Sequence, residues 1–302
     1  MQKYFELLLI FSRLGLTSFG GPVAHIGFFR NEFVTQRRWF TEEQYADKVA
    51  LCQLIPGPAS SQVGLLIGYE RGGYLGALLA WFGFTFPSAL FLGFLGVSLA
   101  NYNELIPDSV LTLLKGIALA VVLQAVVGMA KTFCNGSIER WLMISATIFT
   151  LLVSSGWAAP FVILVSAGVY VIIKKSTSFT ESNSLLNIKL KHSLFWLSLF
   201  VIGLIGLPVA SIFWTDLEAI SDIFRAGALV FGGGHVVLPL LADSYVATGI
   251  LKQDSFLTGY AAAQAVPGPL FTFASFLGGA SFGNMAGAAI ATLTIFAPAV
   301  FI

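Results

Sequence analysis

Charged residues and cysteines are scarce in this 302-residue chain. Only 10% of the residues are charged, and the net charge of +1 offers no electrostatic footprint for nucleic acid. Cys52 and Cys134 lack the spacing of a metal site, so both are predicted to be free thiols. The sequence also lacks nucleotide-binding, zinc-protease and nucleophile-elbow signatures. We therefore predict no enzymatic activity, no cofactor and no metal.

Apolar residues are abundant instead. They make up 57% of the chain, and its mean hydropathy is +0.85. Both values exceed those of ordinary soluble proteins. A chain with so much apolar surface could not cover it all in water. The composition predicts an all-α, polytopic membrane protein whose main partner is the lipid bilayer.

Two short motifs, FGG and PGP, occur twice at nearly equal spacing. The copies are Phe19–Gly21 with Pro56–Pro58, and Phe231–Gly233 with Pro267–Pro269. An offset of 212 positions relates the FGG motifs, and an offset of 211 relates the PGP motifs and the residues after them. A duplicated apolar segment that is interrupted at matching places by Gly and Pro is typical of secondary transporters.

The motifs divide the chain into two repeats. Residues 1–175 are predicted to form the first, 176–192 a linker loop, and 193–302 a second repeat that is expected to be truncated at its carboxyl end. Each motif interrupts an apolar segment, which we interpret as a broken or re-entrant helix. Unbroken crossings are predicted over 73–99, 109–130, 193–213 and from about 283. Residues 141–173 form either a tight hairpin or one long helix.

Orientation follows from the basic residues, because cytoplasmic loops collect Lys and Arg. Most of them fall on one side together with the Lys174–Lys191 loop, which is predicted to be cytoplasmic in a multi-pass protein of the cell membrane. Five crossings between the repeats predict inverted topology. A parallel repeat follows instead if residues 141–173 cross only once.

Arg13 and Arg225 are related by the 212 offset, and each lies six residues before FGG in apolar sequence. A cation there is costly, and a guanidinium offers a planar fork of donors that suits oxyanions. We interpret the pair as anion-binding residues. The alternative is that each arginine pairs with an acid such as Glu6 or Asp222, or extends to a lipid headgroup.

The PGP motifs are expected to expose free backbone amides at the positive end of the following helix, where anions bind readily. The glutamine before each motif contacts substrate or caps the interruption, and nearby hydroxyls add donors. For the FGG glycines, close helix packing is favoured over ligand contact. The predicted binding residues besides the arginines are Gly20, Gly21, Gln53, Pro56, Gly57, Pro58, Ser60, Ser61, Gly232, Gly233, Gln264, Pro267, Gly268, Pro269 and Thr272.

Two histidines follow the glycine motifs. His25 and His235 are candidates for proton coupling because histidine titrates near neutral pH. They do not occupy equivalent positions in the two repeats. An ordinary packed histidine is therefore the favoured interpretation.

The paired blocks FGGPVAHIGFFRNEFV with QLIPGP, and FGGGHVVLPLLADSYV with QAVPGP, resemble the chromate ion transporter family over nearly the whole chain. The resemblance implies inverted halves that expel chromate from the cytoplasm, with sulfate as a competing analogue. The family's glycine-break motif corresponds to Phe19–Pro22 and Phe231–Gly234. Two alternatives remain, a transporter of another small anion and a non-transporting membrane scaffold or sensor. The oligomeric state is open, with a homodimer as one alternative.

Overall fold

The computed structural model describes residues 2–101, 136–153, 158–173, 190–214, 217–230 and 237–301, and single positions between 109 and 134. Most of the predicted crossing 109–130 and of the loop 174–191 lie outside this part. All regular structure in the described residues is helical, which confirms the all-α prediction. The chain forms two compact units, residues 1–119 with 188–302, and residues 120–187.

The first half, residues 2–101, contains four α-helices and one π-helical stretch. They are α1 Gln2–Thr17, α2 Gly21–Arg30, the π-helix Asn31–Gln36, α3 Glu42–Leu54 and α4 Ala59–Asn101. A capping box at Thr41 and Gln44 begins α3. The long α4 bends sharply because Gly72 and Gly73 leave the helical conformation, Gly73 with a φ of 63°. The segments 59–71 and 74–101 therefore behave as two helices.

The described residues between 137 and 213 add four more α-helices and a second π-helix. They are α5 Ser137–Leu152, α6 Ala158–Ile173, α7 Leu190–Val201, the π-helix Ile202–Gly206 and α8 Leu207–Phe213. The rings of Phe149 and Phe161 lie 5.8 Å apart between centroids. In one continuous helix these residues would be separated by about 18 Å. Of the two alternatives for this region, the structure therefore has the hairpin.

The second half, residues 218–301, repeats the element order of the first. Its elements are α9 Glu218–Ala228, α10 Val237–Ala242, the π-helix Asp243–Ala247, α11 Gln253–Ala265, a 3₁₀ turn Leu270–Thr272, α12 Phe273–Phe282 and α13 Met285–Phe301. The 212 offset relates Asn31, where the first π-helix begins, to Asp243, where this one begins. The similarity therefore extends to an irregularity of the helix that neither motif contains.

Within the unit formed by residues 1–119 and 188–302, the helices pack closely around α4. α1 and α12 make its most extensive contacts, and α9 packs on α13. In the first half, Phe11, Phe29, Phe33 and Phe84 form an aromatic core in which Phe11 meets Phe29 edge to face at 5.8 Å. Edge-to-face pairs add stability beyond the burial of their area.

Within the described residues, two helical segments are long and apolar enough to cross a membrane by themselves. They are Ala59–Asn101 and Leu194–Phe213, while α13 is apolar but shorter. Large apolar side chains on both segments are exposed, Phe86 and Ile212 among them. Such outward-facing apolar side chains suit contact with lipid.

Candidate functional site

Helices end and begin on either side of the first FGG motif. α1 ends at Thr17 and α2 begins at Gly21, with Pro22 in its first turn. Gly20 and Gly21 have backbone φ values of 95° and 75°, which residues other than glycine rarely adopt. Gly20 is exposed and Gly21 half-buried. In the second half, Gly232, Gly233 and His235 lie outside the described residues.

The PGP motifs lie between helices in both halves. α3 ends at Leu54 and α4 begins at Ala59, while α11 ends at Ala265 and helical structure resumes at Leu270. The central glycines, Gly57 and Gly268, have φ values of 125° and 109°. Pro58 and Pro269 are buried and immediately precede the next helical residue, whereas Pro56 and Pro267 are half-buried.

Two backbone hydrogen bonds join the motifs of one half to those of the other. The Gly57 amide donates to the Val230 carbonyl at 2.8 Å, and the Gly268 amide donates to the Ser18 carbonyl at 3.0 Å. Ser18 and Val230 are the residues immediately before the two FGG motifs. Each PGP glycine therefore bonds to the residue that precedes the FGG motif of the opposite half. Such reciprocity is what a two-fold relation between two similar bodies produces.

Arg13 lies in a chain of ion pairs. Its Nη2 donates to Oε2 of Glu32, whose side chain is only 4% exposed, while the Arg13 side chain is 56% exposed. Oε1 of the same carboxylate accepts from Arg37 Nε at 2.7 Å, and Arg37 also bonds to Glu6 at 2.7 Å. Arg13 thus pairs with an acid, but with Glu32 and not with Glu6.

Arg225 has a looser partner. Its Nη1 lies 3.8 Å from Oδ1 of Asp222, one turn earlier in α9, and its side chain is 52% exposed. The two arginines occupy equivalent positions in sequence, yet only Arg13 meets a buried carboxylate. Position 244, which the offset relates to Glu32, is a serine.

The glutamines before the motifs do not behave alike. Gln53 is exposed, and Gln264 Nε2 donates to the Tyr260 hydroxyl at 2.8 Å. The carbonyl of Pro56 instead accepts from Nε2 of Gln62 at 2.9 Å. A residue after the motif therefore caps this interruption. Sequence reasoning missed Gln62 because its amide reaches back along the chain.

Buried hydroxyls follow both motifs. Ser60 and Ser61 lie in the first turn of α4, and Thr272 in the turn before α12. His25 is fully buried, and its Nδ1 lies 3.4 Å from Ser60 Oγ. The structure therefore brings His25 to the amino terminus of α4.

Sequence reasoning also missed two further polar residues, Ser18 immediately before the first FGG motif and Thr85 in α4. Ser18 and Thr85 are buried, and their hydroxyls lack a hydrogen-bond partner in the described chain. Comparison of the two repeats could have identified them, because the positions equivalent to Ser18 and Thr85 in the second repeat hold the apolar residues Val230 and Phe296.

Apolar helices, exposed apolar side chains, and paired helix interruptions that face one another through backbone hydrogen bonds define the class of protein. These are features of integral membrane transport proteins. Comparison with known proteins identifies the family.

The sequence profile described as "Chromate transporter" matches residues 5–172 and 217–302. A probable chromate transport protein of Synechococcus elongatus is 27% identical over 97% of this chain and 73% of its own length. The chromate transport proteins of Pseudomonas aeruginosa and Cupriavidus metallidurans are 27% and 28% identical, over 99% and 97% of this chain and 71% of their own lengths. No solved structure matches the chain. The chain therefore belongs to the chromate transporter family.

Proposed function

We propose that this protein exports chromate from the cytoplasm and that sulfate competes as an analogue. The substrate follows from the names of three relatives, of which two are chromate transport proteins and one is a probable chromate transport protein. The observation that carries a transport mechanism is the reciprocal pair of hydrogen bonds between the interrupted segments. Interruptions that meet inside the protein provide the polar backbone from which transporter sites are formed.

The proposed arrangement has two repeats of opposite membrane orientation in a multi-pass protein, with the 174–191 loop in the cytoplasm. The matching element order and the equivalent π-helices support the repeats. The hairpin of α5 and α6 supports the inverted alternative, because two crossings in this region keep the total between the repeats odd. The substrate would meet the protein where the interrupted segments face one another.

The anion is proposed to bind near the amino-terminal ends of α4 and of the helical turn at Leu270. The amides of Ala59, Ser60, Leu270 and Phe271 precede the first hydrogen bonds of these helical segments, and the positive end of the helix dipole attracts anions. Arg13 and Arg225 are proposed to attract the anion by their positive potential. The carboxylates of Glu32 and Asp222 partly cancel this positive potential, so it is weaker than the potential of two unpaired arginines would be.

The membrane potential is sufficient to favour export. A potential of about 100 mV, negative inside, is worth about 2.3 kcal/mol per charge, so expelling a dianion gains roughly 4.6 kcal/mol. This estimate agrees with a sequence in which we find no nucleotide-binding motif.

Transport in vesicles tests the proposal. The purified chain is reconstituted into vesicles that are loaded with chromate. A potassium gradient with valinomycin then makes the vesicle interior either negative or positive. Chromate should leave faster when the compartment that holds it is negative, and sulfate should slow that efflux. Rates equal to those of protein-free vesicles would overturn the proposed function, whereas efflux of other oxyanions alone would overturn only the choice of substrate.

A further inference from the structure

Glu32 is a buried carboxylate that two arginines share. Its Oε2 accepts a hydrogen bond from Arg13 Nη2, and its Oε1 accepts one from Arg37 Nε at 2.7 Å. A buried charge is tolerated where it is paired and hydrogen-bonded. Because each oxygen has its own arginine, the carboxylate keeps one partner when the other moves away.

The same backbone turn follows the π-helix in each half. The Trp39 amide donates to the Phe33 carbonyl at 2.7 Å, and the Leu251 amide donates to the Tyr245 carbonyl at 2.8 Å. The 212 offset relates both the donors and the acceptors of these two bonds. The two halves therefore close this turn in the same way.

The second half closes the turn without the charged network. Ser244 and Gly249 stand at the positions that the 212 offset relates to Glu32 and Arg37. The turn itself therefore requires neither the buried carboxylate nor its second arginine. Arg225 is nevertheless present, so the arginine before FGG is common to both halves while the carboxylate shared by two arginines belongs to the first.

Arg13 keeps donors available on the side away from Glu32. Its side chain is 56% exposed, whereas that of Glu32 is 4% exposed. A guanidinium has five N–H donors. Within the described residues, Nε and Nη1 of Arg13 have no hydrogen-bond acceptor. An anion that approaches from the exposed side therefore meets open donors and competes with Glu32 for the charge of Arg13.

A protein that moves an ion across a membrane must release it as well as bind it, so binding must not be too strong. Charge-assisted hydrogen bonds from arginine to an oxyanion are among the strong ones. A carboxylate that replaces the anion at the same guanidinium offsets their strength. Because this carboxylate is part of the chain, it loses no translational freedom when it pairs with the arginine.

We propose that Glu32 exchanges with the oxyanion at Arg13. The anion displaces the carboxylate when it binds, and the carboxylate bonds to the guanidinium again when the anion leaves. Glu32 keeps its bond to Arg37 throughout, so the buried charge retains a partner. In the second half, Asp222 lies 3.8 Å from Arg225, which is beyond a hydrogen bond, and competes less. This inference rests on the proposed function, in which Arg13 attracts the anion, and it names the residue that promotes release.

Equilibrium binding of radiolabelled sulfate to the purified full chain, together with chromate efflux from vesicles, tests the exchange. Glu32→Gln removes the competing charge but keeps an oxygen that can accept from Arg37. Sulfate should bind about tenfold more tightly, the magnitude of one hydrogen bond to a charged group. The maximal rate of efflux should fall, because release becomes slower. Loss of a purely structural residue would instead weaken binding.

Arg37→Gln should act in the opposite direction. Without Arg37, displacing Glu32 from Arg13 leaves a buried carboxylate without an arginine, so sulfate should bind about tenfold more weakly. The double variant Glu32→Gln/Arg37→Gln contains no such carboxylate and should bind as tightly as Glu32→Gln. The matched control is Glu42→Gln, which removes an exposed carboxylate that accepts from Arg30 at 2.6 and 2.8 Å. It should bind sulfate like the wild type.

The outcomes separate the two proposals. If the wild type binds neither sulfate nor chromate, both the proposed function and the exchange are overturned. If the wild type binds but Glu32→Gln binds no more tightly, only the exchange is overturned. The same holds if the double variant binds as weakly as Arg37→Gln, or if Glu42→Gln binds more tightly than the wild type, since binding would then follow net charge. Should Glu32→Gln not fold, Arg37→Gln decides, and unchanged binding by that variant overturns the exchange.

Discussion

Arg13 and Glu32 form an ion pair although nineteen residues separate them in sequence. Sequence reasoning considered Glu6, which is nearer along the chain, but Glu6 pairs with Arg37 instead. Glu32 reaches α1 because the chain reverses at the glycine motif and then enters the π-helix at Asn31. Identifying such a partner requires the path of the backbone, which local sequence patterns do not provide.

Arg13→Gln should abolish or strongly slow chromate efflux and also lower stability. It leaves the buried Glu32 carboxylate with one arginine in place of two, at a cost of about 1–3 kcal/mol. The double variant Arg13→Gln/Glu32→Gln should recover stability but not efflux. Thermal unfolding in detergent and vesicle efflux measure the two effects.

Glu6→Gln is the matched control for the arginine variants. Glu6 is 51% exposed, and its ion pair with Arg37 should contribute at most about 1 kcal/mol. Efflux by this variant should equal that of the wild type. Normal efflux by the double variant Arg13→Gln/Glu32→Gln would remove Arg13 from the transport pathway.

At the scale of elements, α1 crosses α4 at a contact that requires glycine. A methyl group on Gly15 would lie 2.6 Å from the Phe84 carbonyl oxygen, closer than real Cβ atoms come. The offsets relate this contact to Gly227 and the Ile295 carbonyl, which meet in the same way in the second half. Small residues at such crossings let two backbones approach closely in a membrane.

Gly15→Ala should therefore destabilise the protein by about 1–3 kcal/mol, because the added methyl group must push α1 away from α4. The control is Gly27→Ala in α2, where nothing lies within 4 Å of the new methyl group. This control should be neutral or stabilise by up to about 1 kcal/mol. Thermal unfolding compares them, and equal stability of the two variants would contradict the crossing.

The helix interruptions could be predicted from the sequence more readily than the structure of the segments around them. Gly57 and Gly268 stand between prolines, and this local chemistry limits helix formation whatever the tertiary context. The π-helix at Asn31 has no comparable local pattern. Residues 42–69 and 73–99 were expected as two segments, and the structure has helix ends at Leu54 and Ala59 and a bend at Gly72. Contacts across the halves depend on tertiary packing and could not be predicted.

At the scale of the whole molecule, α4 of the first half packs on α12 of the second. A Cβ on Gly93 would lie 2.8 Å from Ser275 Oγ, and this hydroxyl donates to the Ala89 carbonyl at 2.6 Å. These distances suit the short Cβ separation of a disulfide.

Gly93→Cys with Ser275→Cys should therefore form a disulfide that joins the two halves. Cys52 and Cys134 are first replaced by alanine, and a protease site is inserted between residues 174 and 189. After cleavage, the two fragments should migrate as one band without reductant and as two with it. Gly27→Cys with Ser275→Cys is the control and should give two bands in both cases. Two bands from the first pair without reductant would contradict the packing of α4 on α12.

The reciprocal bonds between the motifs also set an order of assembly on the ribosome. The amide of Gly57 is synthesised long before Val230, whose carbonyl is its acceptor. Amino-terminal segments generally fold first during translation, and an unsatisfied amide within lipid is costly. The nascent first half therefore remains in the membrane without the hydrogen bond from Gly57 to Val230 until the later segment inserts. Stalled translation in that interval would leave a fragment that membrane quality-control proteases can recognise.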